Sequence, residues 1–274
     1  MFLRCGRYSL PLERPLVMGV LNVTPDSFSD GGRFMDRDAA LAHARRMLEE
    51  GADLLDVGAE STRPGALAVS EDEELRRLMP VLEALAELPV PVSVDTRRAR
   101  VMRQALTAGA SMINDVRALQ AEGALEAVAA SDCAVCLMHM KGDPRTMQKD
   151  PQYRDVVAEV GAFLGSRIAA AQASGIARER LTVDPGFGFG KALAHNLELL
   201  RRLGELPVDG VPLLVGLSRK SMLGAITGRP AADRLAPSIA AALLAAQHGA
   251  KILRVHDVRE TRDALAVWLA LRTA

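Results

Sequence analysis

Residues 17–32, VMGVLNVTPDSFSDGG, begin as a buried β-strand and end as a polar loop. Val17 to Leu21 are apolar, whereas Asn22 and the loop after it carry amide, hydroxyl and carboxylate groups. Packing does not require such a loop, and functional groups concentrate on loops held by a rigid scaffold. The change of character therefore indicates a strand whose far end faces a ligand.

The rest of the chain alternates short apolar runs with longer helical patterns. The predicted strands lie near 16–21, 53–57, 90–94, 111–114, 134–138, 180–184, 212–217 and 251–255. The predicted helices lie near 37–50, 71–87, 97–108, 120–131, 152–174, 193–203, 232–248 and 258–272. Eight such alternations in 274 residues predict an α/β fold, a single (β/α)8 TIM barrel, and a doubly wound open sheet is the alternative.

Domain organisation follows from the same alternation. No Gly-, Pro- or Ser-rich linker and no short repeat interrupts it, so we expect one domain over 1–274, with 1–15 as an N-terminal extension. Ser70 precedes a run of acidic residues, which is typical of a helix N-cap. Four glycines stand where left-handed caps would end helices: Gly51, Gly109, Gly175 and Gly249.

Composition narrows the class of protein. The formal net charge is zero, which argues against nucleic acid or an anionic membrane as a partner. No apolar run reaches the roughly 18 residues of a membrane span, and the N-terminus lacks the apolar segment of a signal peptide. Three cysteines, an odd and low number, fit a reducing compartment, so we expect a cytoplasmic protein.

Every predicted strand ends in polar residues or glycine. Because side chains alternate between the two faces of a strand, residues 252, 254 and 256 share one face. The same alternation sets Ser93 and Asp95 on one face and Val92 and Val94 on the other. Active sites of (β/α)8 barrels lie at the C-terminal ends of the strands, so these polar groups predict one shared site. A single strand-end aspartate also forms turns or caps, and that alternative applies to Asp56 and Asp115.

The polar groups indicate two kinds of ligand chemistry. Four cationic side chains suit an anion such as phosphate: Arg63, Lys220, Arg254 and His256. Three acceptors suit the amino-amidine edge of a flat heterocycle: Asp95, Asn114 and Asp184. The residues alone do not name the reaction.

Three familiar motifs fail on inspection. Cys133 and Cys136 stand three apart in a strand, so their thiols point to opposite faces and cannot chelate one metal. The stretch PGFGFGKA (185–192) has Pro and Ala where a phosphate-binding P-loop needs Gly and Ser or Thr. GLSRK (216–220) lacks the second glycine of a nucleophile elbow. We expect His139 to be a packed histidine and Arg219 to face outward or form a salt bridge.

Eight blocks, in order, carry a resemblance to a known family. They are MGVLNVTPDSFSDGG, DVGAESTRPGA, VSVDTRRA, INDV, LMHMKGDPRTMQ, DPGFGFGK, GLSRKSML and LRVHDV, from about residue 16 to 258. Together they resemble the dihydropteroate synthases of folate biosynthesis. The resemblance implies a TIM barrel that joins 6-hydroxymethyl-7,8-dihydropterin pyrophosphate to p-aminobenzoate and releases pyrophosphate.

The resemblance also implies roles for individual residues. The implied catalytic residues are Asp30, Arg63, Asp95 and Lys220. The implied pterin-binding residues are Asp95, Asn114, Met138, Asp184, Phe189 and Lys220. Pyrophosphate would be held by Asn22, Arg254 and His256, with Mg²⁺ coordinated in part by Asn22. p-Aminobenzoate would be held by Phe28, Thr62, Arg63, Pro64 and Ser218. A homodimer is implied too.

Two other functions remain possible from the sequence. A methyltetrahydrofolate–corrinoid methyltransferase is also a pterin-binding barrel, but it has no use for the loop blocks 17–32 and 60–66 or for a pyrophosphate clamp at 254–256. A non-catalytic pterin-binding paralogue would be expected to lose loop or clamp residues, whereas Asp30, Arg63, Lys220 and His256 are all present.

Overall fold

The computed structural model describes residues 1–23, 32–59, 69–143 and 146–273. Its first elements are two short antiparallel strands, β1 (Phe2–Cys5) and β2 (Tyr8–Pro11). Eight parallel strands follow: β3 (Leu16–Asn22), β4 (Leu54–Gly58), β5 (Val92–Asp95), β6 (Met112–Asp115), β7 (Ala134–Met138), β8 (Leu181–Asp184), β9 (Leu213–Val215) and β10 (Ala250–Val255). They close into a barrel in chain order, with β10 beside β3, so the predicted (β/α)8 fold is confirmed.

Helices surround the barrel. They are α1 (Gly32–Glu49), α2 (Glu71–Leu85), α3 (Ala99–Thr107), α4 (Ala124–Ala129), α5 (Val156–Ala173), α6 (Leu193–Arg201), α7 (Ser221–Thr227), α8 (Leu235–Gln247) and α9 (Val258–Thr273). All eight predicted helices are present, and α7 is an additional one. α5 begins later than predicted because Asp155 accepts hydrogen bonds from the backbone N–H groups of Val157 (2.9 Å) and Ala158 (3.1 Å), which makes it the N-cap.

The predicted helix caps are confirmed. Ser70 Oγ accepts a hydrogen bond from the backbone N–H of Glu73 at 3.2 Å and caps α2. All four predicted cap glycines have positive φ, from +88° to +102°: Gly51, Gly109, Gly175 and Gly249. These caps stop the helices where the chain must turn back into the barrel.

Strand alternation divides the buried apolar residues into two clusters. The outer cluster joins side chains such as Val17, Leu55 and Leu253 to the surrounding helices. The inner cluster fills the N-terminal part of the barrel with side chains such as Met18 and Ile252. Cys133 belongs to the outer cluster and Cys136 to the inner one, which confirms that the two thiols point apart.

The β1–β2 hairpin closes the N-terminal end of the barrel. The sequence predicted only an N-terminal extension here. Leu3, Cys5 and Leu12 are fully buried in the inner cluster, and Cys5 Sγ donates to the Ser111 carbonyl at 3.2 Å. With that end filled by apolar groups, the inward-facing polar groups concentrate at the opposite end.

No described helix is both long and apolar enough to cross a membrane.

Candidate active site

Five inward-facing polar side chains stand at the C-terminal ends of the barrel strands, and we call them the polar ring. They are Asp56, Asp95, Asn114, Asp184 and Arg254. Strand register places them beside one another: Asp95 pairs with Asn114 across β5 and β6. The residue two positions earlier on three of these strands is an inner-cluster apolar residue, namely Leu54, Met112 or Ile252. These three strands therefore pass from barrel core to polar site within one alternation.

Arg254 holds the polar ring together. Its Nε donates to Asp56 Oδ2 at 2.6 Å, and a second guanidinium nitrogen donates to Asp95 Oδ2 at 3.2 Å. Asn114 Nδ2 donates to the same Asp56 oxygen at 3.3 Å. Burial acts to lower the pKa of Arg254, but the two carboxylates outweigh it and raise that pKa. Two of the five guanidinium N–H donors serve these bonds, and the others can serve a ligand.

Asp56 is one of the strand-end polar residues for which the sequence left a turn or a cap as the alternative to a shared site. Its side chain is fully buried, and one carboxylate oxygen has no hydrogen-bond partner in the described part of the chain. Its inward contact with Arg254 places it in the polar ring rather than in a turn or a cap. Strand alternation supports this placement, because Asp56 follows the inner-cluster residue Leu54 by two positions.

Asp115 has the structural role that was considered for it. Its two carboxylate oxygens accept hydrogen bonds from the backbone N–H groups of Arg117 and Leu119, both at 2.8 Å. Leu119 and Ala118 have positive φ, so the carboxylate stabilises a tight turn after β6. Burial raises the pKa of Asp115 to about 6, although these hydrogen bonds oppose the rise.

Asp95 is held in an environment that favours its neutral form. Burial raises its pKa to about 7, although Arg254 opposes the rise, and the negative charge of Asp56 adds to it. A carboxyl group poised near neutrality, inside a polar ring, is typical of a functional residue.

Residues 185–190, which we call the glycine loop, form the next wall of the site. Asp184 Oδ1 accepts a hydrogen bond from the backbone N–H of Gly186 at 2.7 Å. Lys220 donates to the Phe187 carbonyl, and its Nζ lies 4.5 Å from the centre of the Phe189 ring. The structure thus brings Asp184, Phe189 and Lys220 together across two barrel strands, as the predicted shared site requires.

Burial shifts the two charged groups of this wall in opposite directions. It raises the pKa of Asp184, with Lys220 opposing the rise. It lowers the pKa of Lys220 to about 8, with Asp184 opposing the fall. Each group therefore favours the ionised form of the other.

Beneath the glycine loop lies a buried pair that sequence reasoning did not anticipate. Lys191 is 2% exposed, and its Nζ lies 2.9 Å from His139 Nδ1. The His139 ring packs edge-on against Phe163, which confirms it as a packed histidine. Burial lowers the pKa of His139 to about 3 and lowers the pKa of Lys191 well below its usual range. The only sequence signal was a lysine directly after a glycine-rich run.

Ser218 and His256 meet at the rim. His256 Nδ1 lies 3.0 Å from Ser218 Oγ, and the backbone N–H of His256 also donates to that hydroxyl at 3.3 Å. Arg219, between Ser218 and Lys220, points outward to an ion pair with Asp257 at 2.5 Å, as expected. Residues 218 and 220 therefore face the site while 219 does not.

The remaining predicted residues divide into two groups. Asn22 is half-buried at the end of β3, and Met138 is buried at the end of β7, paired in register with Asp184. Five predicted residues lie outside the described residues: Phe28, Asp30, Thr62, Arg63 and Pro64.

The described residues do not form an all-protein metal cage. They contain no group of three His, Cys, Asp or Glu side chains placed to hold a metal ion. A hard oxygen donor at the rim, such as the Asn22 amide, suits Mg²⁺, which takes one or two protein ligands and completes its shell with phosphate and water. The donor set is therefore compatible with a magnesium ion that arrives with a phosphorylated substrate.

The site offers acceptors and donors for two chemically different ligands. Buried acceptors in the polar ring, with a lysine over an aromatic ring, suit a flat heterocycle that bears N–H groups and a carbonyl. Arg254 and His256 suit an anion at the same rim.

Comparison with known proteins agrees with this geometry. The model of a family described as pterin binding enzyme matches residues 18–256. A dihydropteroate synthase from Neisseria meningitidis serogroup C is 53% identical over 273 residues, which covers 98% of this chain and 96% of that protein.

Two solved structures give the same result. Xanthomonas albilineans dihydropteroate synthase with 4-aminobenzoic acid superposes with a TM-score of 0.93 at 56% identity, covering 100% of this chain and 98% of that one. Burkholderia cenocepacia dihydropteroate synthase complexed with 7,8-dihydropteroate gives a TM-score of 0.91 at 52% identity, covering 99% and 96%.

Proposed function

Because this chain belongs to the dihydropteroate synthases, a family of pterin-binding enzymes, we propose that the polar ring and the glycine loop bind the pterin substrate of that reaction. The enzyme is a transferase that condenses 6-hydroxymethyl-7,8-dihydropterin pyrophosphate with p-aminobenzoate. The amine nitrogen forms a bond to the pterin methylene carbon, the bond from that carbon to the pyrophosphate oxygen breaks, and the amine loses a proton. The products are 7,8-dihydropteroate and pyrophosphate.

The pterin ring has a polar edge and two apolar faces, and the proposed contacts match both. Asp95, Asn114 and Asp184 accept hydrogen bonds from the ring N–H groups, and Lys220 donates to the ring carbonyl. Met138 and Phe189 contact the faces of the ring. The cation of Lys220 over Phe189 supports this placement because it shows a donor already held beside an aromatic surface.

The pyrophosphate is assigned to Asn22, Arg254 and His256. Arg254 is fixed by Asp56 and Asp95, so it presents its remaining donors without having to reorganise. Asn22 would be a ligand of Mg²⁺, which when bound neutralises charge on the departing phosphate oxygens.

p-Aminobenzoate is assigned to the loops and rim, at Phe28, Thr62, Arg63, Pro64 and Ser218. Among these, Ser218 belongs to the described part of the chain, and its contact with His256 sets it next to the proposed pyrophosphate group. Asp30 is assigned to orient the amine or accept its proton, and Arg63 is a cationic partner for the p-aminobenzoate carboxylate.

We propose a dissociative path for the reaction. Pyrophosphate departs from a carbon beside an electron-rich ring, so positive charge develops on the pterin before the amine attacks. Asp95 is the carboxylate placed to stabilise that charge, and Arg254 stabilises the leaving group. No covalent nucleophile is required.

The contact of Arg254 with Asp56 and Asp95 carries this proposal, since it joins the proposed anion site to the proposed heterocycle site. The test is incubation with the pterin pyrophosphate, Mg²⁺ and p-aminobenzoate. Release of pyrophosphate that depends on p-aminobenzoate supports the synthase. Pterin binding without release would instead indicate a non-catalytic binding protein, and methyl transfer from methyltetrahydrofolate would indicate the corrinoid methyltransferase class.

A second test addresses the pterin edge. Asp184→Ala is expected to abolish pterin binding measured by calorimetry. The matched control is Thr182→Val, a fully buried inward-facing position on the same strand, which should bind pterin as the parent protein does. Undiminished pterin affinity in Asp184→Ala would reject the assignment.

We further propose that the enzyme works as a cytoplasmic homodimer. Three free, buried cysteines support a reducing compartment. Val267 and Leu271, apolar residues on α9, are 65% and 76% exposed, which supports a contact between copies there. Sedimentation of the parent protein and of Leu271→Glu tests the dimer, which the substitution should weaken.

A further inference from the structure

Lys191 is a buried titratable residue that the proposed reaction does not use. Its Nζ has three neighbours: His139 Nδ1 at 2.9 Å, the Gly186 carbonyl at 2.9 Å and the Phe189 carbonyl at 3.1 Å. Even a protonated lysine has only three donors, so three polar neighbours are enough to satisfy this nitrogen. Burying such a group costs free energy unless it is hydrogen-bonded, and Lys191 meets that requirement with groups of the glycine loop and of residue 139.

The contacts clamp the glycine loop against the segment after β7. Gly186 and Gly190 have positive φ, +70° and +66°. A Cβ at Gly186 would lie 1.9 Å from the His139 carbonyl oxygen, and one at Gly190 would lie 2.2 Å from the Lys141 carbonyl oxygen. The loop is thus in backbone contact with residues 139–141, and Lys191 joins peptides near both ends of the loop to the His139 ring.

The clamped carbonyls belong to the residues that build the proposed pterin wall. Gly186 donates its N–H to Asp184, and its carbonyl accepts from Lys191. Phe189 lies under Lys220, and its carbonyl also accepts from Lys191. A shift of either peptide would therefore move an acceptor or the aromatic surface of the site.

We propose that Lys191 is a positioning residue for the pterin site, acting through the Gly186 and Phe189 carbonyls to set Asp184, Phe189 and Lys220 relative to one another. This inference rests on the proposed placement of the pterin. The loop also has supports other than Lys191, because Tyr153 donates to the Gly190 carbonyl and the Gly188 N–H donates to Asn196 Oδ1, both at 2.8 Å. Loss of the Lys191 bonds is therefore expected to loosen the Gly186 and Phe189 peptides without unfolding the loop.

The experiment compares Lys191→Met with a matched control, Lys141→Met. Lys141 lies beside the same loop, but its Nζ contacts Glu159, the Gln152 carbonyl and the Tyr153 ring instead. We expect Lys191→Met to raise the Kd of 6-hydroxymethyl-7,8-dihydropterin and the KM of its pyrophosphate at least tenfold. In Lys191→Met the KM of p-aminobenzoate should stay within twofold of the parent value. In Lys141→Met the pterin Kd and the KM of the pterin pyrophosphate should also stay within twofold. Unchanged pterin affinity in Lys191→Met overturns the inference.

A double-mutant cycle separates positioning from a general loss of stability. Lys191→Met and Lys220→Met are measured singly and together for pterin Kd. If Lys191 acts by setting Lys220, the combined loss falls short of the product of the single losses by at least threefold. Multiplicative losses would overturn the positioning role. If Lys191→Met does not fold, Lys191→Gln, which retains one donor group, replaces it in both measurements.

The same data distinguish this inference from the proposed function. Lys220→Met with undiminished pterin affinity would remove the proposed pterin site itself. Weakened binding in Lys220→Met together with full binding in Lys191→Met would remove only the role of Lys191.

Discussion

Arg254 Nε donates to Asp56 Oδ2 at 2.6 Å, between residues 198 positions apart in the chain. The two residues are on β10 and β4, which are not neighbours, since β3 lies between them. This bond therefore spans the intervening strand β3 at the mouth of the barrel. It turns separate strand ends into one charged network.

The first prediction concerns Asp56→Asn. The substitution keeps the shape of the side chain but removes the negative charge that orients Arg254. We expect kcat/KM to fall by the equivalent of about 1.5–3 kcal/mol, the usual size of a hydrogen bond to a charged group. The matched control is Asp115→Asn, a buried strand-end aspartate outside the polar ring, which should change stability but not kcat/KM. Equal kcat/KM in parent and Asp56→Asn would show that the network is only structural.

The second prediction concerns Arg254→Ala. Loss of the proposed anion donor should weaken binding of the pterin pyrophosphate by about 2–4 kcal/mol, as expected for a buried charged donor. Titration calorimetry measures this with two ligands, the pterin pyrophosphate and the pterin that lacks pyrophosphate. The substitution should weaken binding of the second ligand less than that of the first. Arg219→Ala is the control, because Arg219 is on the same rim but points outward to Asp257. Binding that is unchanged within error would remove the clamp assignment.

The third prediction concerns the pH dependence of pterin binding. Asp95 must be ionised to accept a ring N–H, and its pKa is raised to about 7. Lys220 must be protonated to donate, and burial lowers its pKa to about 8. Affinity should therefore rise with pH through about 7 and fall above about 8. In Asp95→Asn the acid limb should disappear, and in Lys220→Met the alkaline limb should disappear. If the pH dependence on either side persists after the corresponding substitution, a group other than Asp95 or Lys220 causes it.

Asp95 also makes the free energy of unfolding depend on pH. This dependence has the opposite sign to the rise in pterin affinity, because stability falls as pH rises. Between the ordinary value of 3.8 and the folded value of about 7, the folded protein keeps a proton that the unfolded chain has released. The contribution of Asp95 to the free energy of unfolding therefore falls as pH rises through this window and is constant above it. Denaturant unfolding at several pH values measures this. The free energy of unfolding should decline less steeply with pH in Asp95→Asn than in the parent protein. An identical slope in both proteins would contradict the raised pKa.

The fourth prediction separates folding from function at the other end of the barrel. Leu3→Ala removes a fully buried side chain from the inner cluster and should lower the free energy of unfolding by about 2–5 kcal/mol. KM for both substrates should not change, because the hairpin closes the end opposite the site. The neighbouring Phe2→Ala is the control: Phe2 is 52% exposed, so its loss should cost less than about 0.5 kcal/mol. A large change in KM for Leu3→Ala would show that the two ends are coupled.

Local patterns in the chain predict the barrel and the facing of most site residues. Those features depend on local periodicity: apolar alternation assigns Asp95, Asp184 and Arg254 to the inner face, and caps such as Ser70 and Gly51 mark the helix ends. The contacts within the ring were decided only by the tertiary structure. Whether Arg254 bonds Asp56 or stays free depends on barrel closure and on strand register, which join residues far apart in the chain.

The same reason explains the Lys191 clamp and the hairpin. From the sequence, a lysine after a glycine-rich run is expected to be exposed to solvent. Its burial depends on packing against His139, 52 positions away in the chain, which no local pattern shows. The first 15 residues contain no long periodic pattern, and their role as a closure appears only when Leu3 and Leu12 meet the inner cluster. Periodicity is a local property of the chain, whereas charge pairing and cavity filling are properties of the folded barrel.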